Sequence, residues 1–325
     1  MRRREFIAGL GGAVAWPLAA RAQQAKLQVV GWLTVQPRNR MDVVEGFVDG
    51  LRDAGFVEGR NLIIEHRSAD GRYDRLPALV AELVQRQVDV LAAGSLRSIS
   101  AARDATSTIP IVFTLPSDPV ALGLVKSLNR PGGNLTGVSY LNAEVGPKRL
   151  ELLHKLVPTA KSVALLVQQN DTFGSAVQVR ELEAAVTVLG LRLRVIEVAT
   201  PADLDTAFAT VAQERIELVH IGVDGLFGAN RPRLIVLAAR YGVPTSYPWR
   251  EFTVEGGLMN YGAIIREQFH RWGTYAARIL RGEKPADMPI QQPTRLGFVV
   301  NLNTARTLGI EVPPSLLATA DEVIE

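Results

Sequence analysis

The sequence predicts an α/β protein built as two doubly wound parallel-sheet lobes. Short apolar runs alternate with amphipathic stretches of ten or more residues, the signature of strand–helix repetition. This rhythm starts at residue 27, pauses after 141 and restarts at 147. Behind an N-terminal leader, about 300 residues remain, which suits two cores better than one. Strands separated by helices require a parallel sheet with right-handed crossovers.

The elements follow in order. LQVVGWL (27–33) is apolar throughout, as a strand covered on both faces must be. In 41–56, Val43, Val44, Phe47, Val48 and Leu51 fall at helical spacing, and Gly55 stands where a C-cap belongs. Strand 61–68 comes next. In 72–87 a helix is predicted to start near Leu76, because Pro77 is tolerated only in a first turn. Strand 88–94, helix 95–106 and strands 109–115 and 135–141 complete the first series. The second series reads helix 147–158, strand 161–168, helix 173–190 and strand 191–200. Helix 201–215 then places Leu204, Phe208 and Val211 on one face. Strand 216–225, helix 231–242 and strand 243–249 lead to a short last strand at 256–262 and a long amphipathic helix at 266–283.

The first 22 residues have a different texture. Arg2, Arg3 and Arg4 precede an apolar stretch from Phe6 to Trp16, too short to span a bilayer. Ala20-Arg21-Ala22 offers a small-x-small cleavage pattern, so 1–22 is expected to be an export signal. Arg3-Arg4-Glu5-Phe6-Ile7 with Gly9, Gly11 and Gly12 suits the twin-arginine route, with an ordinary Sec signal as the alternative. This leader holds four Arg and one Glu and so accounts for the whole net charge of +3. The remainder is balanced, which argues against nucleic acid as a partner. The chain has no Cys, hence no disulfide, thiolate nucleophile or Cys-bound metal.

No catalytic or cofactor constellation stands out, and none is expected. His66, His154, His220 and His270 are scattered, without metal-ligand spacing. Neither a G-x-S-x-G elbow, a Walker loop nor a G-x-G-x-x-G after a strand occurs. His220 lies within an apolar strand and reads as a core imidazole. What the strand ends offer is polar and aromatic groups, and ligands of open parallel sheets meet the carboxyl ends of strands. The candidates in the first lobe are Thr34, Gln36, Gly94, Ser95, Thr114, Ser117 and Asp118. In the second they are Asn170, Phe173, Asp224, Tyr247 and Tyr261. Of the neighbours Tyr247 and Trp249, one is expected to face a cleft. Hydroxyls and helix N-termini can hold a carboxylate, Asp224 an ammonium, and aromatic faces an apolar body. Ser95 and Asp118 also suit helix caps, and Asp224-Gly225 a turn.

Two stretches carry a family likeness. STIPIVFTLPSDPVALGLVKSLNRPGGNLTGVS (107–139) and the tail 284–325, with its N-x-x-T-A-x-x-L-G pattern, resemble ABC-transporter substrate-binding proteins of the tryptophan/tyrosine-type uptake group. EGGLMNYG (255–262) and YAARILRG (275–282) are similar to the same group. The resemblance implies a type I periplasmic-binding-protein fold with a multi-crossing hinge. Lobe I would comprise 27–141 plus 262–288, and lobe II 142–261 plus about 289–325. It further implies a protein that passes a small solute to an inner-membrane permease and its ATPase; the export signal points to the periplasm, the missing catalytic set to a protein that is not an enzyme, and closure, which needs free lobes, to a monomer. Leu96 and Arg97 stand where the group has smaller residues, and Ala263-Ile264-Ile265 where a polar residue is frequent. The resemblance implies an amino acid as ligand, whereas these departures suit an aromatic or apolar carboxylate; either is expected. A sensor module or a periplasmic enzyme on the same scaffold is the alternative.

Overall fold

A computed structural model describes residues 27–35 and 41–325, so the leader and Gln36 lie outside the described residues. The first sheet has the order β2-β1-β3-β4-β5, all parallel. Its strands are β1 (Gln28–Thr34), β2 (Leu62–Ser68), β3 (Val90–Ala93), β4 (Ile111–Leu115) and β5 (Leu135–Ser139). Helices α1 (Met41–Asp53), α2 (Leu76–Gln85) and α3 (Leu96–Ala105) connect them. Helix α2 starts at Leu76 with Pro77 in its first turn, where the missing N–H costs nothing. Leu76, Leu79, Val80 and Leu83 of α2 pack against one face of this sheet with Phe113 and Leu115.

The second sheet has the order β12-β11-β10-β9-β8-β6-β7. It contains β6 (Ser162–Gln168), β7 (Arg192–Val198), β8 (Leu218–Ile221), β9 (Thr245–Tyr247) and β10 (Met259–Ala263). To these the tail adds β11 (Leu296–Asn301) and β12 (Glu322–Ile324). Helices α4 (Gly146–Leu156), α5 (Thr172–Leu189), α6 (Asp203–Gln213), α7 (Gly225–Ala229), α8 (Arg231–Tyr241) and α9 (Arg250–Val254) lie between the strands. Helix α10 (Ile265–Leu280) follows β10, and α11 (Leu302–Thr307) and α12 (Pro314–Leu317) precede β12.

Two expectations need correction here. The strand at 256–262 is not the last, since β11 and β12 follow it. Nor is the second sheet wholly parallel, because β10 and β11 pair antiparallel. The path explains the direction. After β10 the chain leaves the sheet at the hinge end, and α10 packs on α1 of the first lobe. Residues 288–291 then run beside β5, with the Thr136 hydroxyl bonded to the Met288 carbonyl and Val138 bridged to Gln291. The return to the second sheet starts from the hinge, where β10 ended, so β11 must run opposite to it.

Chain crossings between the lobes therefore fall at 140–145, at Ile264 and at 292–295. Asn142 ties two of them together. It is fully buried, donates from Nδ2 to the Pro248 carbonyl at 2.8 Å and accepts the Ala263 N–H at 2.8 Å. One apolar cluster runs from α1 and α10 through Tyr140, Ala263 and Ile265 into the second lobe.

Candidate functional site

The loops that leave the carboxyl ends of both sheets face each other and enclose a cavity. Lobe I contributes Gly94, Ser95, Leu96, Pro116 and Tyr140. Lobe II contributes Asp171, Val223, Asp224, Gly225 and Trp249, while Ile265 and Phe269 of α10 close one side. Each of these loop residues sits one to four positions beyond the last residue of its strand. That is where a doubly wound sheet offers side chains and free helix N-termini to a ligand.

Ser95 is the N-cap of α3. Its hydroxyl accepts the Ser98 N–H at 3.2 Å, and the Ser98 hydroxyl answers by accepting the Ser95 N–H at 3.0 Å. Asp171 and Asp224 are N-caps as well. Asp171 accepts the Gly174 N–H at 3.2 Å and Asp224 the Leu226 N–H at 2.7 Å. Their carboxyls are unusual for caps. Burial pushes Asp224 up to about 7; the Leu226 N–H opposes this and the Asp171 charge adds to it. Asp224 keeps some surface, and that surface belongs to the cavity wall. Burial also raises Asp171, against the pull of the Gly174 N–H and the Arg97 charge. From lobe I the Tyr73 phenol feels both acids, and burial together with them pushes it well above its usual range.

The lobes touch across the cavity mouth. Arg97 of α3 donates from Nη2 to the Asn170 carbonyl at 3.4 Å and to the Thr172 hydroxyl at 3.3 Å. Beside it, Asp70, Gly71 and Arg72 face Asn170, Thr200 and Pro201 across a wider groove.

Of the residues expected from sequence, Gly94, Ser95 and Asp224 line the cavity. Thr114 is fully buried within β4, beneath Gly94, and its hydroxyl has no hydrogen-bond partner. Thr34 ends β1, with its hydroxyl 3.2 Å from His66 Nε2. Ser117 is buried and its carbonyl accepts the Ser139 hydroxyl. Asp118 caps a turn, accepting the Val120 N–H at 2.8 Å. Asn170 stands at the groove, and Phe173 is half exposed. Two aromatic residues are not brought to the cavity. Tyr247 stacks on Phe252 at 4.8 Å inside lobe II, and Tyr261 packs with that lobe's outer apolar cluster opposite Phe298. Between Tyr247 and Trp249, it is Trp249 that lines the cavity. Asp171 stands out in the sequence as a strand-end group but not as a chosen candidate, and Tyr140, Ile265 and Phe269 do not stand out as binding groups at all. The strand-end rule, carried three residues past 168 and 262, reaches Asp171 and Ile265; Tyr140 is hidden because the strand predicted to reach 141 stops at Ser139.

Among the described residues the cavity wall holds no nucleophile–base pair. Its serine hydroxyl, that of Ser95, is engaged as a cap. His220 lies elsewhere, buried between Ser246 and Arg149, which donates to its Nε2 at 2.9 Å. Burial and that guanidinium hold its pKa well below the ordinary value, so the ring is a neutral core imidazole. No group of three or more metal-ligating side chains occurs among the described residues.

Two α/β lobes of mainly parallel sheet facing each other across a cavity are the fold of type I periplasmic binding proteins. The sequence profile of the ABC transporter substrate binding protein family matches residues 32–324, and the chain belongs to that family. A protein named tyrosine-binding protein, from Clostridioides difficile (strain R20291), is 26% identical over 268 residues, covering 82% of this chain and 76% of the relative. The ABC domain of a Streptococcus pneumonia protein in complex with L-Trp superposes with a TM-score of 0.80 at 24% identity, covering 91% of this chain and 99% of that one. A ligand-free, open substrate-binding protein with adhesive properties from Clostridium difficile gives a TM-score of only 0.61 at 26% identity, covering 91% and 99%. The lower score against an open jaw agrees with the lobe-to-lobe bonds of Arg97.

Proposed function

We propose that this chain captures an amino acid with an apolar or aromatic side chain between its lobes and delivers it to an inner-membrane permease and its ATPase. The observation that carries this reading is the meeting of two carboxylates, Asp171 and Asp224, with Tyr140, Trp249 and Phe269 in one cavity. An ammonium group satisfies the acids, and the rings hold an apolar body. The N-terminus of α3, with the Leu96 and Arg97 amides left outside the capping box of Ser95 and Ser98, suits a carboxylate. The relatives, one named for tyrosine binding and another in complex with L-Trp, point the same way. An aromatic carboxylate without an amine would leave Asp224 unanswered.

The chain works outside the inner membrane in this reading, as a monomer free to close. The leader's arginines and cleavage pattern support export, by the twin-arginine route in preference to Sec. No helix among the described residues is long and apolar enough to cross a membrane.

The test is a thermal-shift screen of the mature chain against amino acids, aromatic carboxylates, amines and purines, followed by calorimetry on the hits. Apolar or aromatic L-amino acids should raise the melting temperature and bind with micromolar affinity, about −8 kcal/mol. A screen in which only amine-free carboxylates stabilise the protein would sink the amino-acid reading.

A further inference from the structure

Arg97 does not line the cavity, and the proposed capture of the solute makes no use of its side chain. It lies in the first turn of α3, next to the cavity-lining Ser95 and Leu96, yet its guanidinium leaves the wall and reaches lobe II. There it bonds to Asn170 and Thr172, the residues on either side of Asp171. It flanks Asp171 without forming an ion pair, and its charge draws that carboxyl back toward ionisation. No Lys or Arg is among the cavity-lining residues, so Arg97 is the cation placed to offset one of the two acids.

We propose that Arg97 is a specificity residue that fixes the charge a ligand must bring. With Arg97 across the jaw, Asp171 is compensated and Asp224 remains for a single ammonium. Without it the closed cavity presents two uncompensated carboxylates and favours a dication. The bonds of Arg97 span the lobes, so this charge arrives with closure and acts when the ligand is enclosed. The protein thereby selects zwitterionic amino acids over basic amino acids and diamines of the same shape. This inference rests on the amino-acid reading of the cavity.

Calorimetry on the mature chain separates the two. The probes are L-tyrosine, with one ammonium, and 4-aminomethyl-L-phenylalanine, a ring of similar size carrying a second one. Wild type should favour L-tyrosine. Arg97→Gln should shift the ratio of the two affinities toward the dication by about tenfold or more, the scale of a unit charge a few ångströms away in partly screened surroundings. Arg97→Lys keeps the charge and should hold the ratio near wild type. Arg97 is exposed, so both variants should melt with wild type. A simple latch would weaken both probes alike, and an unchanged ratio in Arg97→Gln overturns the charge role. If wild type binds neither probe, the amino-acid reading falls first and this inference with it.

Discussion

Asp224 is at once a helix cap and a cavity wall, and the two roles make opposite demands on its proton. The Leu226 N–H favours the carboxylate, whereas burial and the neighbouring Asp171 favour the neutral acid and prevail, at about 7. In the unfolded chain the group titrates near 4. Between those values the folded chain holds a proton that the unfolded chain has released. Stability from this group is therefore highest at acid pH, declines as pH rises from about 4 to about 7, and is level above. Melting curves of ligand-free wild type and Asp224→Asn at pH 4.5 to 8 should differ in this window, with the variant lacking the decline. Asn retains the cap, so the comparison isolates the charge. The same substitution should weaken amino-acid binding by at least about tenfold, because a charge-assisted bond is lost. An unchanged Kd would reduce Asp224 to a cap. Which residues reach the cavity was legible only as far as strand ends were. Gly94, Ser95 and Asp224 lie past strands that stop early. Tyr247 and Trp249 share one parity, so alternation cannot tell them apart. What decides is that β9 stops at Tyr247, leaving Trp249 outside the sheet. Likewise β10 continues to Ala263, which keeps Tyr261 within the sheet and hands the cavity to Ile265.

At the scale of elements, the alternation of strand and helix was plain in the sequence because each helix buries one stripe. Helix α10 shows both the reach and the limit of that reading. Its periodicity announced an amphipathic helix; the closeness of its partner left no such mark. Gly273 packs so tightly on α1 that an added Cβ would stand 2.0 Å from the Phe47 carbonyl oxygen. Gly50 of α1 meets the His270 carbonyl in the same way. Gly273→Ala should thus force the helices apart and cost about 1–3 kcal/mol or more, read from urea unfolding. Because α10 also carries Ile265 and Phe269 to the cavity, ligand affinity should fall with it. Loss of stability with unaltered affinity would mean that the helix end holds its place independently. The short helices α7 and α9 went unread for a simple reason. Five residues cannot display a period of 3.6. The antiparallel entry of β11 depends on the path through the hinge, which no local pattern encodes.

At the scale of the molecule, the proposed capture requires the two lobes to move about the crossings between them, and Asn142 joins two of those crossings by side-chain bonds. Its partners precede Trp249 and Ile265, so the clasp also sets where two cavity walls begin. Asn142→Ala would leave the Pro248 carbonyl and the Ala263 N–H unpaired in the interior. A loss of about 2–3 kcal/mol should follow, visible as a lowered Tm, together with weaker amino-acid binding although no cavity residue has changed. An unaltered Tm would show that the crossings do not depend on the clasp. Closure itself can be watched directly, because a chain without Cys accepts two labels at chosen sites. Arg72 of lobe I and Thr200 of lobe II line one groove from opposite sides and are both exposed. With dyes on cysteines at these positions, saturating L-tyrosine should raise energy transfer, and washing it out should lower it again. The expectation follows from the acids: closing lobe I over the two lobe II carboxyls takes them out of water, which is costly until a cation is enclosed with them, so the empty jaw should rest more open than the filled one. Flat transfer alongside calorimetric binding would mean that solute enters a jaw already shut, and closure would then not be the step that binding drives.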